Sequence, residues 1–352
     1  MVQVKRIVGS VLLASGLVAS GVYAWVLIPV SVDRGAPDAA VAQLAASSNA
    51  LKDAEEGYFE HEGYALHYVS AGKGEAIVFF HGFPSFWYSF ARQMEYFGRD
   101  YHVIAVDSLG AGKSFAPRDA APYKLETMGE HIAALLDELK IERAHLVGHD
   151  WGSAFAIGLA QRYPERILSV TGMSAPSHNA TLHALEVDPK ARETSGYVEQ
   201  FKSANPPVIW ALGVPDQIYD GAYRPLVEDG KLTEQEGQLF RNATSDPKRI
   251  NAHINWYRAN LPHPDDVDEE DYWPSREARV TMPALYIWGE DDPIYNEVAI
   301  TRLLQLSDDA KLITFPNTKH WPHVREAEAV NRAIADHIAE ATAKTMDQSS
   351  KE

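Results

Sequence analysis

In the run Gly148-His149-Asp150-Trp151-Gly152 a carboxylate stands between two residues without side chains, directly after the apolar pair Leu146-Val147. A strand that turns at once into a helix crowds its own backbone, and only small residues fit on either side of the tip. The tip residue is then held in a strained conformation with its side chain pushed into a pocket. A serine there would attack a carbonyl carbon. An aspartate suits a different electrophile, because it can attack an sp3 carbon and become an alkyl ester of the protein. An aspartate that merely caps a helix has the same local pattern, so the reading depends on partners. The helix fed by this turn is expected over 154–160.

Partners occur in the chain order that such a site needs. The buried-strand run Ala76-Ile77-Val78-Phe79-Phe80 ends in His81-Gly82-Phe83-Pro84. A turn there can aim the Phe83 amide at Asp150, where with the Trp151 amide it would form an oxyanion hole. The strand-like run 284–288 passes into Gly289-Glu290-Asp291-Asp292-Pro293, and the run 311–315 precedes a loop carrying His320. Nucleophile, acid, histidine is the chain order of the α/β-hydrolase fold. Each candidate lies just past the C-terminal end of a strand, where open α/β sheets place ligands. Asp291 competes with Asp292 as the acid, and spacing from Gly289 favours Asp292. His323 competes with His320, and the position directly after the strand and loop favours His320. His81 and His149 read as structural residues bonded to neighbouring backbone.

Over roughly residues 57–343 these motifs resemble the epoxide hydrolase family of the α/β-hydrolase superfamily, which is related to the haloalkane dehalogenases. Asn255-Trp256-Tyr257-Arg258 closely resembles the second ring-opening tyrosine motif of that family. Gly196-Tyr197-Val198-Glu199-Gln200-Phe201 resembles the first less closely. The resemblance implies that Asp150 opens an epoxide while Tyr197 and Tyr257 donate to the leaving oxygen. It implies that His320, oriented by Asp292, then activates water against the ester. A small apolar epoxide and water become a vicinal diol, with no metal and no organic cofactor. Phe83, Trp87 and Trp151 are expected to contact the substrate, with Tyr88 and Trp210 as further aromatic wall. A haloalkane dehalogenase would share Asp150 and His320, but Phe83 lacks the side-chain donor expected for halide and the tyrosine pair would be idle. A catalytically silent binding module is the third reading, and it predicts a damaged triad.

The elements that must position these residues follow from hydrophobic rhythm. Strand and helix patterns alternate from about Tyr58, with hairpin strands around 63–71, a strand from Tyr101, an amphipathic helix over 126–139 and a strand over 167–173. The expected fold is a mostly parallel eight-stranded sheet flanked by helices, with an inserted helical cap. Core is assigned to 56–176 and 274–345, cap to 177–273, a linker to 31–55 with a short helix possible over 41–51, and a C-terminal tail to 346–352. A closing helix is expected over 326–341.

Lys5-Arg6 precede 24 residues without a charge, 7–30. That length suits a membrane anchor or a signal segment, with the enzyme on the periplasmic, extracellular or lumenal side rather than in the cytoplasm. Acidic residues outnumber basic ones 49 to 32, for a net charge of −17, which argues against nucleic acid as a partner. There is no cysteine, hence neither disulfide nor thiolate site. Gly110-Ala111-Gly112-Lys113-Ser114 suggests a phosphate loop, but the glycine required at 107 is Asp107, so a turn is expected. Asn179-Ala180-Thr181 and Asn242-Ala243-Thr244 are formal glycan acceptors.

Overall fold

The structure, a computed structural model, describes residues 29–32, 34, 38–204, 209, 212–294 and 296–349. Strands β3 (Ala76–Phe80), β5 (Ala144–His149) and β7 (Ala284–Gly289) are buried along their whole length. Such unbroken apolar runs suit the middle of a parallel sheet covered on both faces. β4 (His102–Asp107), β6 (Ile167–Met173) and β8 (Ala310–Phe315) join them in parallel. β1 (Glu55–His61) and β2 (Tyr64–Ala71) form an antiparallel hairpin at one edge, giving the order β1-β2-β4-β3-β5-β6-β7-β8. Glu62 and Gly63 both take positive φ, +51° and +82°, which a two-residue hairpin turn needs to match strand twist.

The pleat divides the interior into two cores. Val78 and Phe80 of β3 face one side, with Leu125, Ile132, Phe155 and Leu159 from the helices Leu125–Glu138 and Trp151–Arg162. Ile77 and Phe79 face the other, with Met94 and Phe97 from the helix Ala91–Phe97 and Ile334 and Ile338 from Ala327–Ser349. That closing helix passes the expected end at 341 and takes in residues expected as a tail.

The segment expected as a linker is instead partly built into the second core. Asp38 caps the helix Ala39–Ser47 through its Oδ1, 2.8 Å from the Ala40 amide, while its Oδ2 accepts the Trp87 indole N–H at 2.9 Å. Ala40, Leu44 and Leu51 are buried, so the Ala-rich composition conceals a thin apolar stripe. Residues 1–28, most of the expected anchor, lie outside the described residues, and Val30 bridges to Ala116. Among the described residues no helix is long and apolar enough to cross a membrane.

The turn after β4 closes around a carboxylate. Asp107 accepts the amides of Trp87 at 2.8 Å and Lys113 at 2.9 Å, and a Cβ on Gly112 would stand 1.9 Å from its Oδ2. Burial opposes its charge, but the bond and charge of His67 and the surrounding amides bring its pKa down to about 2. A loop wrapped on an anion cannot also cradle phosphate.

Between β6 and β7 the chain leaves the sheet and forms helices, among them His178–Val187, Gly196–Ser203, Glu234–Thr244 and Pro247–Asn260. They are pinned to the core at specific points. The Trp256 indole donates to the Leu109 carbonyl at 3.0 Å, and the Tyr223 hydroxyl donates to the Pro84 carbonyl at 2.5 Å.

Candidate active site

β5 passes into the helix Trp151–Arg162 with no residue between them except Asp150. Asp150 has φ +53° and ψ −124°, and its side chain makes no helix-capping hydrogen bond. It is therefore not a helix cap. Such backbone costs on the order of 1–3 kcal/mol and persists only where the surroundings impose it. Here the amide of Asp150 is tied to the Met173 carbonyl of β6 at 2.9 Å. The glycines are required by contact: a Cβ on Gly148 would lie 2.0 Å from the Gly152 carbonyl oxygen, and one on Gly152 would lie 1.9 Å from that of Phe80.

The carboxylate has two unlike oxygens. Oδ1 accepts the Phe83 amide at 2.7 Å, and the Trp151 amide also bonds to this carboxylate. Gly82 allows the approach, since a Cβ there would stand 2.4 Å from Oδ1. Oδ2 lies 3.4 Å from His320 Nε2. His320 Nδ1 is 3.0 Å from Asp292 Oδ2, and Asp292 Oδ1 accepts the Ile294 amide at 3.0 Å. The competing residues fall elsewhere. Asp291 is exposed and accepts the Lys319 amide at 2.8 Å. His323 is buried with its ring against Phe90 and His149. His81 bonds backbone at both nitrogens, Nδ1 to the Gly82 carbonyl at 2.9 Å and Nε2 to the Ser108 amide at 3.2 Å.

Burial disfavours charge on both members of the central pair, but their mutual attraction prevails. Asp150 is held below the usual carboxylate range by the bond and charge of His320 and by the Trp151 amide. His320, with Asp150 on one nitrogen and Asp292 on the other, is pushed up to about 10. The resting site is a carboxylate paired with an imidazolium.

Tyr197 and Tyr257 come from two different helices above the sheet. Their hydroxyls are hydrogen-bonded to one another, with ring centroids 6.2 Å apart. The Trp151 indole packs beside Tyr257, the rings meeting edge-on at 5.0 Å. Tyr197 is 37% exposed as a residue, but its hydroxyl end meets Tyr257, which is buried. Burial raises both phenols, and the Asp150 charge raises them further, so both remain protonated donors.

A cavity of about 350 Å³ opens onto Asp150, Trp151, Tyr197 and Tyr257. Its remaining wall is mainly apolar and includes Pro176, Leu185, Ala299 and Ile294. Thr181, Ala184 and Leu185 share a helix face at the i, i+3, i+4 spacing, a signal present in the sequence but the same as that of ordinary core. The expected aromatic wall needs correcting. Trp87 is fully buried in the second core, its indole committed to Asp38, because its side chain points away from the elbow. Tyr88 is buried beside it and accepts from Gln43 Nε2 at 3.0 Å. The Phe83 ring does not line the cavity; it backs Tyr257 edge-on at 5.6 Å and packs on Phe201. Trp210 lies outside the described residues.

One group among the described residues has metal-ligand spacing, Asp38, Glu56 and His67. The Lys113 ammonium already stands 2.6 Å from Glu56 Oε1, and none of the three lines the cavity. Asn179 is buried and donates to backbone around 275–278, so it is no glycan acceptor in the folded chain.

Residues 75–327 match the family model described as alpha/beta hydrolase fold. The chain is 33% identical over 258 residues to an epoxide hydrolase of Caballeronia sordidicola, covering 65% of this chain and 76% of that one. It is 28% identical over 326 residues to epoxide hydrolase 3 of Xenopus tropicalis, covering 89% and 84%. The fold is shared with a Bacillus megaterium epoxide hydrolase solved in complex with an inhibitor, with a TM-score of 0.71 at 23% identity over 80% of this chain and 100% of that one.

Proposed function

Because the chain belongs to the epoxide hydrolases of the α/β-hydrolase fold family, we propose that it hydrates an apolar epoxide to a vicinal diol through an ester on Asp150. One observation carries this reading: two tyrosine hydroxyls and a carboxylate held by two amides face the same mainly apolar cavity. A nucleophile and paired proton donors on opposite sides of one space are what ring opening requires. Dehalogenation would leave the tyrosines idle, and Phe83 has no side-chain donor to offer a halide.

In this reading the two oxygens of Asp150 have different roles. Oδ2, the oxygen turned toward His320, attacks an epoxide carbon as the ring C–O bond breaks, and the epoxide oxygen takes a proton from the tyrosine pair. Oδ1 stays in the amide cradle and becomes the ester carbonyl oxygen. Esterification removes the Asp150 charge that held the His320 proton. The pKa of His320 then falls from about 10, and the proton it releases balances the one the tyrosine gave. Neutral His320, held by Asp292, takes a proton from water as the hydroxide attacks Asp150 Cγ. The Phe83 and Trp151 amides carry the developing oxyanion. Collapse returns that proton to the diol oxygen and leaves Asp150 as the carboxylic acid, whose proton passes to His320 and restores the carboxylate–imidazolium pair.

Water therefore enters the product through Asp150. A single turnover in 18O-labelled water is expected to place the label in the Asp150 carboxylate and leave the first diol unlabelled, as read by peptide mass spectrometry. Label in the first diol would mean direct attack of water and would sink the ester reading.

The two steps differ in pH dependence. Ester formation needs ionised Asp150 and falls only below the usual carboxylate range, since that pKa is lowered. Ester hydrolysis needs neutral His320, so its rate is expected to drop about tenfold per pH unit below the pKa of His320 in the ester. Quench-flow at varied pH separates them, and an ester decay that stays flat down to acid pH would contradict the assigned base.

We further propose that 7–30 anchors the enzyme to a membrane, with the catalytic body outside the cytoplasm. The uncharged length of that stretch supports it. The full chain is expected to resist alkaline carbonate extraction, whereas a chain starting at residue 31 is expected to be released.

A further inference from the structure

Asp150 and His320 sit on loops from different strands, and their 3.4 Å approach has to be maintained by something other than themselves. Asp292 fixes the His320 ring at Nδ1. The backbone of His320 is fixed by the residue immediately before the nucleophile. His149, the last residue of β5, donates from Nε2 to the His320 carbonyl oxygen at 2.6 Å. A carbonyl can only accept, so the hydrogen is on Nε2; His149 Nδ1 has no partner among the described residues. The ring is fully buried and wedged between the rings of His320 at 4.9 Å, Trp321 at 4.9 Å and His323 at 4.3 Å.

From this geometry we infer that His149 is a positioning residue for the hydrolytic half of the reaction, tying the base loop to the nucleophile strand through one buried hydrogen bond. The inference rests on the ester reading above. The bond reaches the base and leaves the Asp150 carboxylate untouched, because that carboxylate is held by the Phe83 and Trp151 amides and the Asp150 amide by β6. Its loss should therefore be felt when His320 must aim a water at Cγ, and much less when Oδ2 attacks the epoxide. The neutral state of His149, enforced by burial and then by the charges of His323 and His320, spares the site a second cation beside the imidazolium.

The test resolves the two steps in single-turnover mass spectrometry of the full chain with a lipophilic epoxide. His149→Phe keeps a planar ring and removes the donor; His149→Met does the same with a flexible chain and carries the test where the phenylalanine variant does not fold. His149→Gln places an amide N–H where Nε2 stands. The donorless variants are expected to hydrolyse the Asp150 ester about 10- to 100-fold more slowly, as a small misplacement of a catalytic group does, while forming it within about threefold of wild type. His149→Gln is expected to restore most of the hydrolytic rate. Ester decay at the wild-type rate in the donorless variants would overturn the inference, as would equal slowing of both steps or a glutamine variant as slow as the phenylalanine one. An ester in the wild type whose decay ignores these substitutions overturns this inference alone. No ester in the wild type overturns the covalent reading and this inference with it.

Discussion

Replacing His320 with glutamine is expected to stop turnover and leave the protein heavier by the whole mass of an epoxide. The physical reason is the division of labour on Asp150. Oδ2 needs no help from a base to attack a strained ring, but the ester carbonyl needs a deprotonated water, and His320 Nε2 is the nitrogen turned toward Asp150, 3.4 Å from Oδ2. Loss of the imidazolium partner also lets burial raise the Asp150 pKa, with the Trp151 amide still opposing that rise. Steady-state turnover should fall by about a thousandfold or more, the scale seen when one member of a catalytic unit is removed. Intact-mass spectrometry of His320→Gln after exposure to epoxides reads the trapped ester, and Asp150→Asn should show none. An adduct formed only from haloalkanes, lacking the halide, would make the protein a dehalogenase. No adduct from either class would favour a silent fold.

Removing both phenol hydroxyls is expected to act on the other step. Tyr197→Phe with Tyr257→Phe should slow ester formation by about 100- to 10,000-fold, the range for loss of a positioned proton donor. Each single variant should lose less, because the remaining hydroxyl still faces the same oxygen. Hydrolysis of ester already formed should be nearly unchanged, since neither phenol touches the amides or His320's partners. A double variant that forms ester at the wild-type rate would reduce the pair to packing. Quench-flow on both half-reactions, with thermal melts as control, distinguishes these outcomes.

The parts of the site that could be read along the chain are those whose physics is local. A carboxylate between Gly148 and Gly152 after an apolar run announces a strained turn, because much of the crowding comes from atoms only a few residues away. The strands behind Phe83, Asp292 and His320 carry their own hydrophobic rhythm, so the order of the three loops was legible too. The pairing of Tyr197 with Tyr257 was visible as a resemblance, because each motif is a short run on one helix.

What escaped was every choice that depends on direction. Trp87 stands six residues from His81 in a stretch that feeds the site, yet its indole turns into the second core to meet Asp38, a residue 49 positions away. Asp38 itself lay in a stretch that looked like a linker, because a stripe of Ala40, Leu44 and Leu51 is too thin to register until the sheet offers a surface to bury it. Leu185 and Ala299 line the cavity from two helices whose apolar faces resemble any others.

By itself, then, the sequence determined the strained turn, the nucleophile type and the loops from which acid and base must come, since those follow from steric crowding and periodicity among near neighbours. Tertiary structure alone decided that Asp292 rather than Asp291 meets His320, that one oxygen of Asp150 takes the Phe83 amide while the other faces His320, that two phenols meet over the cavity, and that His149 holds the base loop. Those are distances of about 3 Å between atoms far apart in the chain, and a hydrogen bond is lost within a fraction of an ångström, a tolerance that only the packed fold enforces.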